Sequence, residues 1–127
     1  MRHAPVALAL AVCAAAAGAA PGTAQAPGTG TAVGVAEREF TISPYRRQVR
    51  PGLVRFNVRN YGEDGHNLVV VDPRGKRLAE SPEIEAGSRY TLPVRLRRTG
   101  TYRLLCTQAD HLRRGMTARL RVRGPSR

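Results

Sequence analysis

The sequence predicts an all-β domain, a Greek-key β-sandwich, on three observations. Apolar residues alternate with polar ones over several short stretches, the period of strands with one buried face. Turn-forming pairs and triplets separate these stretches at short intervals. No stretch carries the 3.6-residue period of an amphipathic helix. Short strands with frequent turns in about a hundred residues fit a sandwich better than any layered α/β arrangement.

The chain has 127 residues. It opens on a segment that does not read as fold. Arg2 and His3 precede an almost wholly apolar, Ala-rich run from Val6 to Ala20, followed by small residues and Pro. That order is the pattern of a secretory signal peptide, expected over residues 1–26. At this length the run is short for a membrane span, which needs about 20 apolar residues. An exported product is therefore expected, periplasmic, extracellular or at the cell surface. From the sequence, an uncleaved N-terminus is the one expected route to a membrane. Residues 27–34 close a Pro-, Gly-, Ala- and Thr-rich stretch and read as a flexible tether. The domain is expected over 35–124, with a tail at 125–127.

Within the domain the first strand is expected at Ala36–Ile42, continuing toward Val49. Val54, Phe56 and Val58 alternate with Arg55, Asn57 and Arg59. His66 to Val71 is more continuously apolar and reads as an interior strand. Residues 76–86 read as a looser connection containing Pro82. Tyr90, Leu92, Val94 and Leu96 share one face, as do Tyr102, Leu104 and Cys106, and then Met116, Ala118, Leu120 and Val122. The opposite faces carry arginine.

Twenty-one basic and nine acidic residues give a formal charge of +12, lowered by one when Arg2 leaves with the leader. Every basic residue but Lys76 is arginine. Such a charge favours acidic partners and would give non-specific nucleic-acid binding. A specific nucleic-acid module is not expected, because the two Phe and four Tyr are scattered and form no stacking platform. Nor does the sequence suggest an enzyme. Asp110 and His111 are adjacent, but neither a nucleophile elbow nor a second carboxylate stands at a useful spacing.

Chemistry concentrates elsewhere. Once the leader is removed, one Cys (Cys106), two His (His66 and His111) and one Met (Met116) remain. Three of these four lie in the window CTQADHLRRGM. The fourth opens the apolar strand HNLVVV after a tight turn. Singly, Cys106 reads as a small buried hydrophobe, His66 as a turn residue and Met116 as core filler. Jointly they are a thiolate, two imidazoles and a thioether, the donor set of a trigonal copper site with a weak axial Met. A lone Cys in an exported chain has no internal disulfide partner, which leaves the thiol to be explained. Cys106 ends a strand with its side chain inward, Met116 begins the last strand on an inward face, and His111 lies on the loop between. Zinc accepts Cys and His, but a thioether favours copper. Glu63 and Asp64, in a Gly-flanked turn, read as solvated.

This arrangement resembles the small blue copper proteins, the cupredoxins such as plastocyanin and azurin. The matching elements are His66-Asn67 at a strand start and Cys106-x4-His111-x4-Met116. The likeness covers about residues 35–123. It implies one copper ion, with His66, Cys106 and His111 in the strong plane and Met116 on the axis. It also implies that Asn67 ties the two ligand loops together through Cys106 and Thr107. The four-plus-four loop is long for the family. Arg113 and Arg114 replace the apolar surroundings often found at the exposed His and suggest an acidic redox partner meeting a monomer. One-electron transfer is the function so implied. Copper storage or delivery, and a metal-free sandwich serving as an interaction module, are the alternatives.

Overall fold

The computed structural model describes residues 30–125. Nine strands make up two mixed sheets, and no helix occurs among the described residues. They are β1 (Thr31–Arg38), β2 (Thr41–Pro44), β3 (Gln48–Val49), β4 (Gly52–Asn60), β5 (Val69–Val71), β6 (Arg77–Glu80), β7 (Arg89–Leu96), β8 (Gly100–Leu105) and β9 (Thr117–Val122). One sheet has the order β2-β1-β4-β7 and the other β3-β9-β8-β5-β6.

Alternation in the sequence becomes alternation of burial. Val54, Phe56 and Val58 face inward from β4, Leu92, Val94 and Leu96 from β7, and Tyr102 and Leu104 from β8. Together with Leu68, Leu120 and Val122 they form one core between the sheets. At about 25 cal/mol per Å² of apolar surface withdrawn from water, burial of these side chains is the main term holding the sheets face to face. The Tyr102 hydroxyl donates to the Arg98 carbonyl (3.0 Å) and accepts from the Arg98 N–H (3.2 Å). The one polar atom of this core ring is thereby satisfied at the β7–β8 corner.

Four expectations are corrected. Residues 31–34 belong to β1 rather than to a tether, because β1 pairs in parallel with β4 from Thr31↔Val54 onward. The single first strand expected at Ala36–Ile42 is instead the turn of a β1–β2 hairpin, with Glu39 and Phe40 at the bend. Residues 77–80 pair with β5 as an edge strand inside the stretch read as a loose connection. Regular pairing in the HNLVVV segment begins at Val69, while His66 sits ahead of it in a bridge to Ile84. The signal-peptide reading of residues 1–26 lies outside the described residues.

The strand directions define two poles. At one lie the C-terminal ends of β1, β4 and β8, the start of β9, and the 61–66 loop. The chemistry-bearing residues collect there.

Candidate metal centre

The local folding of three segments brings the donors together. Tyr102, Leu104 and Cys106 keep the inward alternation, so Cys106, one residue past β8, is fully buried. Its N–H donates to the Met116 carbonyl (3.2 Å), which closes the 106–116 loop at its base. The Met116 N–H in turn donates to the His111 carbonyl (3.1 Å), and the His111 N–H to the Gln108 carbonyl (3.0 Å). Gly115 takes a φ of 89°, the left-handed conformation that lets the chain turn into β9. The four-plus-four loop is long in residues but short-circuited by backbone bonds, so His111 has a fixed place within it. On the other side, His66 exchanges both backbone bonds with Ile84, N to O at 3.1 Å and O to N at 2.6 Å.

Asn67 joins these two regions. Its Oδ1 accepts the Thr107 N–H (2.7 Å), and its Nδ2 donates to the Thr107 hydroxyl (2.9 Å) and to Glu80 (3.2 Å). The expected bracing of one loop by the other is thus made through Thr107, directly after Cys106.

His66, Cys106 and His111 converge, and all three are buried. The two Nδ1 atoms lie 3.2 Å apart, and the Cys106 Sγ lies 3.9 Å from that of His66 and 3.6 Å from that of His111. A point inside this triangle is about 2.1 Å from every donor, against metal–nitrogen and metal–sulfur bonds of about 2.0–2.3 Å. Met116 is fully buried at the entry to β9, in the same core as Cys106.

Two carboxylates stand behind the imidazoles, Glu39 and Asp64, and neither place is encoded in the strand pattern. Glu39 Oε1 accepts from His66 Nε2 at 3.0 Å. The same oxygen accepts the N–H groups of Glu63 (2.9 Å) and Asp64 (2.8 Å), so one side chain fixes both the 61–65 loop and the ring. These bonds, the Asp64 N–H foremost, hold the Glu39 carboxyl down at about 2. Asp64 Oδ2 lies 3.5 Å from His111 Nε2. At His66 the carboxylate on Nε2 fixes the proton there and leaves the Nδ1 lone pair pointing inward, the arrangement that orients imidazole for a metal. The period-two pattern gave no sign of Glu39, which acts only because the chain bends at residues 39–40. Glu63 and Asp64 are exposed, as the sequence predicts, and Asp64 nonetheless stands beside His111.

The electrostatics of the donors point the same way. Burial is the main cause holding the His66 imidazolium below its usual range near 6.5, with Glu39 opposing it. Burial also raises the Cys106 thiol. A cation that takes up the thiolate must therefore release a proton, and its affinity rises with pH. Two imidazoles and a thiol within bonding reach of one point, with Met116 buried in the same core, fit one copper ion. Replacing Glu39 by Gln keeps an acceptor but removes the charge. We expect Glu39→Gln to weaken copper binding about 10–100-fold in a competition titration against a chelator, with the β-sheet circular dichroism unchanged.

His111 is the less covered of the two histidines, 4 % exposed against 0 %. Its ring meets the edge of Phe40 at 5.2 Å between centroids, and the Arg114 guanidinium lies 4.8 Å over Phe40. Arg114 also pairs with Asp110 at 2.7 Å.

No protein-family model and no curated relative matches this sequence. Solved structures do match. The chain is similar to the dithionite-reduced auracyanin of the photosynthetic bacterium Roseiflexus castenholzii, with a TM-score of 0.65 and 21% identity over 76% of this chain and 99% of that one. It is also similar to auracyanin A of Chloroflexus aurantiacus, described as a "blue" copper protein (TM-score 0.63, 18% identity, 73% of this chain and 98% of that one). A copper-containing nitrite reductase from Thermus scotoductus matches at a TM-score of 0.56 and 16% identity, over 73% of this chain but only 31% of its own. Two mixed sheets with these donors at one pole, spanning nearly the whole of the auracyanins, show that the chain is built on the cupredoxin fold.

Proposed function

We propose that this chain is an exported type 1 (blue) copper protein that carries one electron at a time and turns over no substrate of its own. The observation that carries this reading is the buried triangle of two imidazole Nδ1 atoms and one thiol sulfur, with carboxylates behind both rings. His66, Cys106 and His111 would supply the strong plane and Met116 the axial thioether. Copper, when bound, supplies the Cu(I)/Cu(II) couple.

The protein's own part is to keep the donors from moving. Asn67 and Thr107 lock the two loops, backbone bonds close the 106–116 loop, and Glu39 holds His66. Little rearrangement is then needed between oxidation states. The apolar surroundings of Cys106 and Met116 exclude water. His111, the least covered donor, is the route by which an electron enters or leaves. Exposed Arg113 beside it suits an acidic redox partner.

Purified protein loaded with Cu(II) is expected to absorb strongly in the visible through thiolate-to-copper charge transfer and to give a reversible one-electron wave. A colourless Cu(II) form overturns the proposal. Rapid copper exchange with a chelator and no reversible wave would instead mark storage or delivery.

A further inference from the structure

Charge is unevenly divided between the two poles. Around the metal centre, Glu39, Glu63, Asp64 and Asp110 are interspersed with Arg38, Arg59, Arg113 and Arg114. The opposite pole, where β1, β4 and β8 begin and β7 and β9 end, has a different balance. One groove there, between the edge strands β6 and β7, is lined by Arg74, Lys76, Arg95, Arg97 and Arg98. A second, beside β3, is lined by Arg46, Arg50 and Arg123. Asp72 is the one carboxylate among these lining residues, and its Oδ1 is already engaged by the N–H groups of Arg74 and Lys76. Eight cations against one satisfied carboxylate leave this pole strongly positive.

The chain also enters the fold here. Thr31, the first residue of β1, lines the second groove. The preceding segment is therefore joined to the arginine pole, and it includes the apolar run Val6–Ala20. Ten residues, 21–30, separate that run from β1, a reach of at most about 35 Å. Whenever the run lies in a bilayer, as leader or as anchor, the pole it is tethered to is the arginine one.

We propose that this arginine pole docks on an anionic lipid surface, leaving the His66–Cys106–His111 end directed away from the membrane and open to partners. Guanidinium groups match phosphate oxygens in pairs, and basic residues near an anionic bilayer add their attractions. A protein partner fits this pole less well, since interface cores need buried apolar and aromatic anchors. Leu78 is the one large exposed hydrophobe among the lining residues. The electron route through His111 lies at the other end, beyond the roughly 20 Å length of β8. The docking does not depend on the identity of the metal.

The test is co-sedimentation of the full chain with vesicles of phosphatidylcholine containing a quarter phosphatidylglycerol, beside vesicles of phosphatidylcholine alone. The parent is expected to prefer the anionic vesicles, and the preference to fade at about 0.5 M salt. Each basic residue at such a surface contributes about fivefold, so Arg95→Glu/Arg97→Glu/Arg98→Glu, which removes three cations and adds three anions, should lower partitioning well beyond a hundredfold. The milder Arg95→Gln/Arg97→Gln/Arg98→Gln, which removes the three cations alone, should lower partitioning about a hundredfold and keeps the test open if the reversal fails to fold. Arg59→Glu/Arg89→Glu/Arg113→Glu, with the same net change at the metal pole, should lose less than about threefold. Equal losses from both reversals would reduce the effect to net charge and overturn the proposal. Equal binding to both kinds of vesicle would assign it to the apolar run and do the same. Tighter binding to a DNA duplex or a polyglutamate peptide than to the anionic vesicles, at matched salt, would also overturn it. Sedimentation is read on copper-free and copper-treated protein alike, so its outcome stands apart from the copper proposal.

Discussion

Cys106→Ser is expected to fold and yet show no intense visible band with Cu(II), with copper affinity lowered at least about a hundredfold. The sulfur is the one soft anionic donor in the site, and the pocket that makes it fully buried offers no substitute for it. A serine hydroxyl is a hard donor, does not ionise at neutral pH and has a shorter reach. It would remain close to the two Nδ1 atoms that now lie 3.6 and 3.9 Å from Sγ, so it would have a hydrogen-bond acceptor. The cost to stability is therefore expected at about 1–2 kcal/mol rather than a loss of fold. Absorption spectra and chelator competition on parent and variant make the comparison. A visible band of parental strength in the variant would remove Cys106 from the site. A parent with no band would return Cys106 to the role of a buried hydrophobe.

The burial of Cys106 and Met116 was legible because each is fixed by a local rule. Cys106 continues the inward face of Tyr102 and Leu104, and Met116 the inward face of Leu120 and Val122, so period two alone points both side chains at the core. His66 and Asn67 were legible from order and resemblance, and the Asn67–Thr107 bracing follows. What sequence could not supply is what depends on the path between elements. Glu39 lies where a straight strand was expected, and it reaches His66 only because β1 and β2 fold back on each other. Asp64 stays exposed, and it comes within 3.5 Å of His111 only because the 61–65 loop is drawn toward Glu39. The parallel pairings of β1 with β4 and β3 with β9 are likewise long-range, and turn signals along the chain do not encode them.

Stability of the copper-free protein should fall between pH 6.5 and 8, and Glu37→Gln should abolish that fall. Glu37 sits on β1 facing the interior, fully buried, and neither carboxylate oxygen has a hydrogen-bond partner among the described residues. Its strand neighbours are Ile42 on β2 and Asn60 on β4. The Asn60 side chain is committed elsewhere, to the Asp64 and Ile84 carbonyls and the Gly62 N–H. Burial without compensation pushes the carboxyl up from 4.5 to about 8. The folded protein therefore holds a neutral acid at this position while the unfolded chain ionises near 4.5. Over that interval the folded state binds the extra proton, so stability declines as pH rises and levels off above about 8. Other groups act outside the chosen window. The lowered carboxyls of Glu39, Asp72 and Asp110 exert their pH dependence below about 4.5, and His66, lowered from 6.5, below 6.5. The raised Cys106 thiol acts near 9 and above. Across the 1.5 pH units that remain, Glu37 alone should cost about 2 kcal/mol. Gln cannot ionise, so urea unfolding of Glu37→Gln should be flat over the same range and more stable than the parent at pH 8. Parallel slopes for the two proteins would mean that Glu37 is already solvated or paired in the folded state, and the buried neutral acid would have to be abandoned.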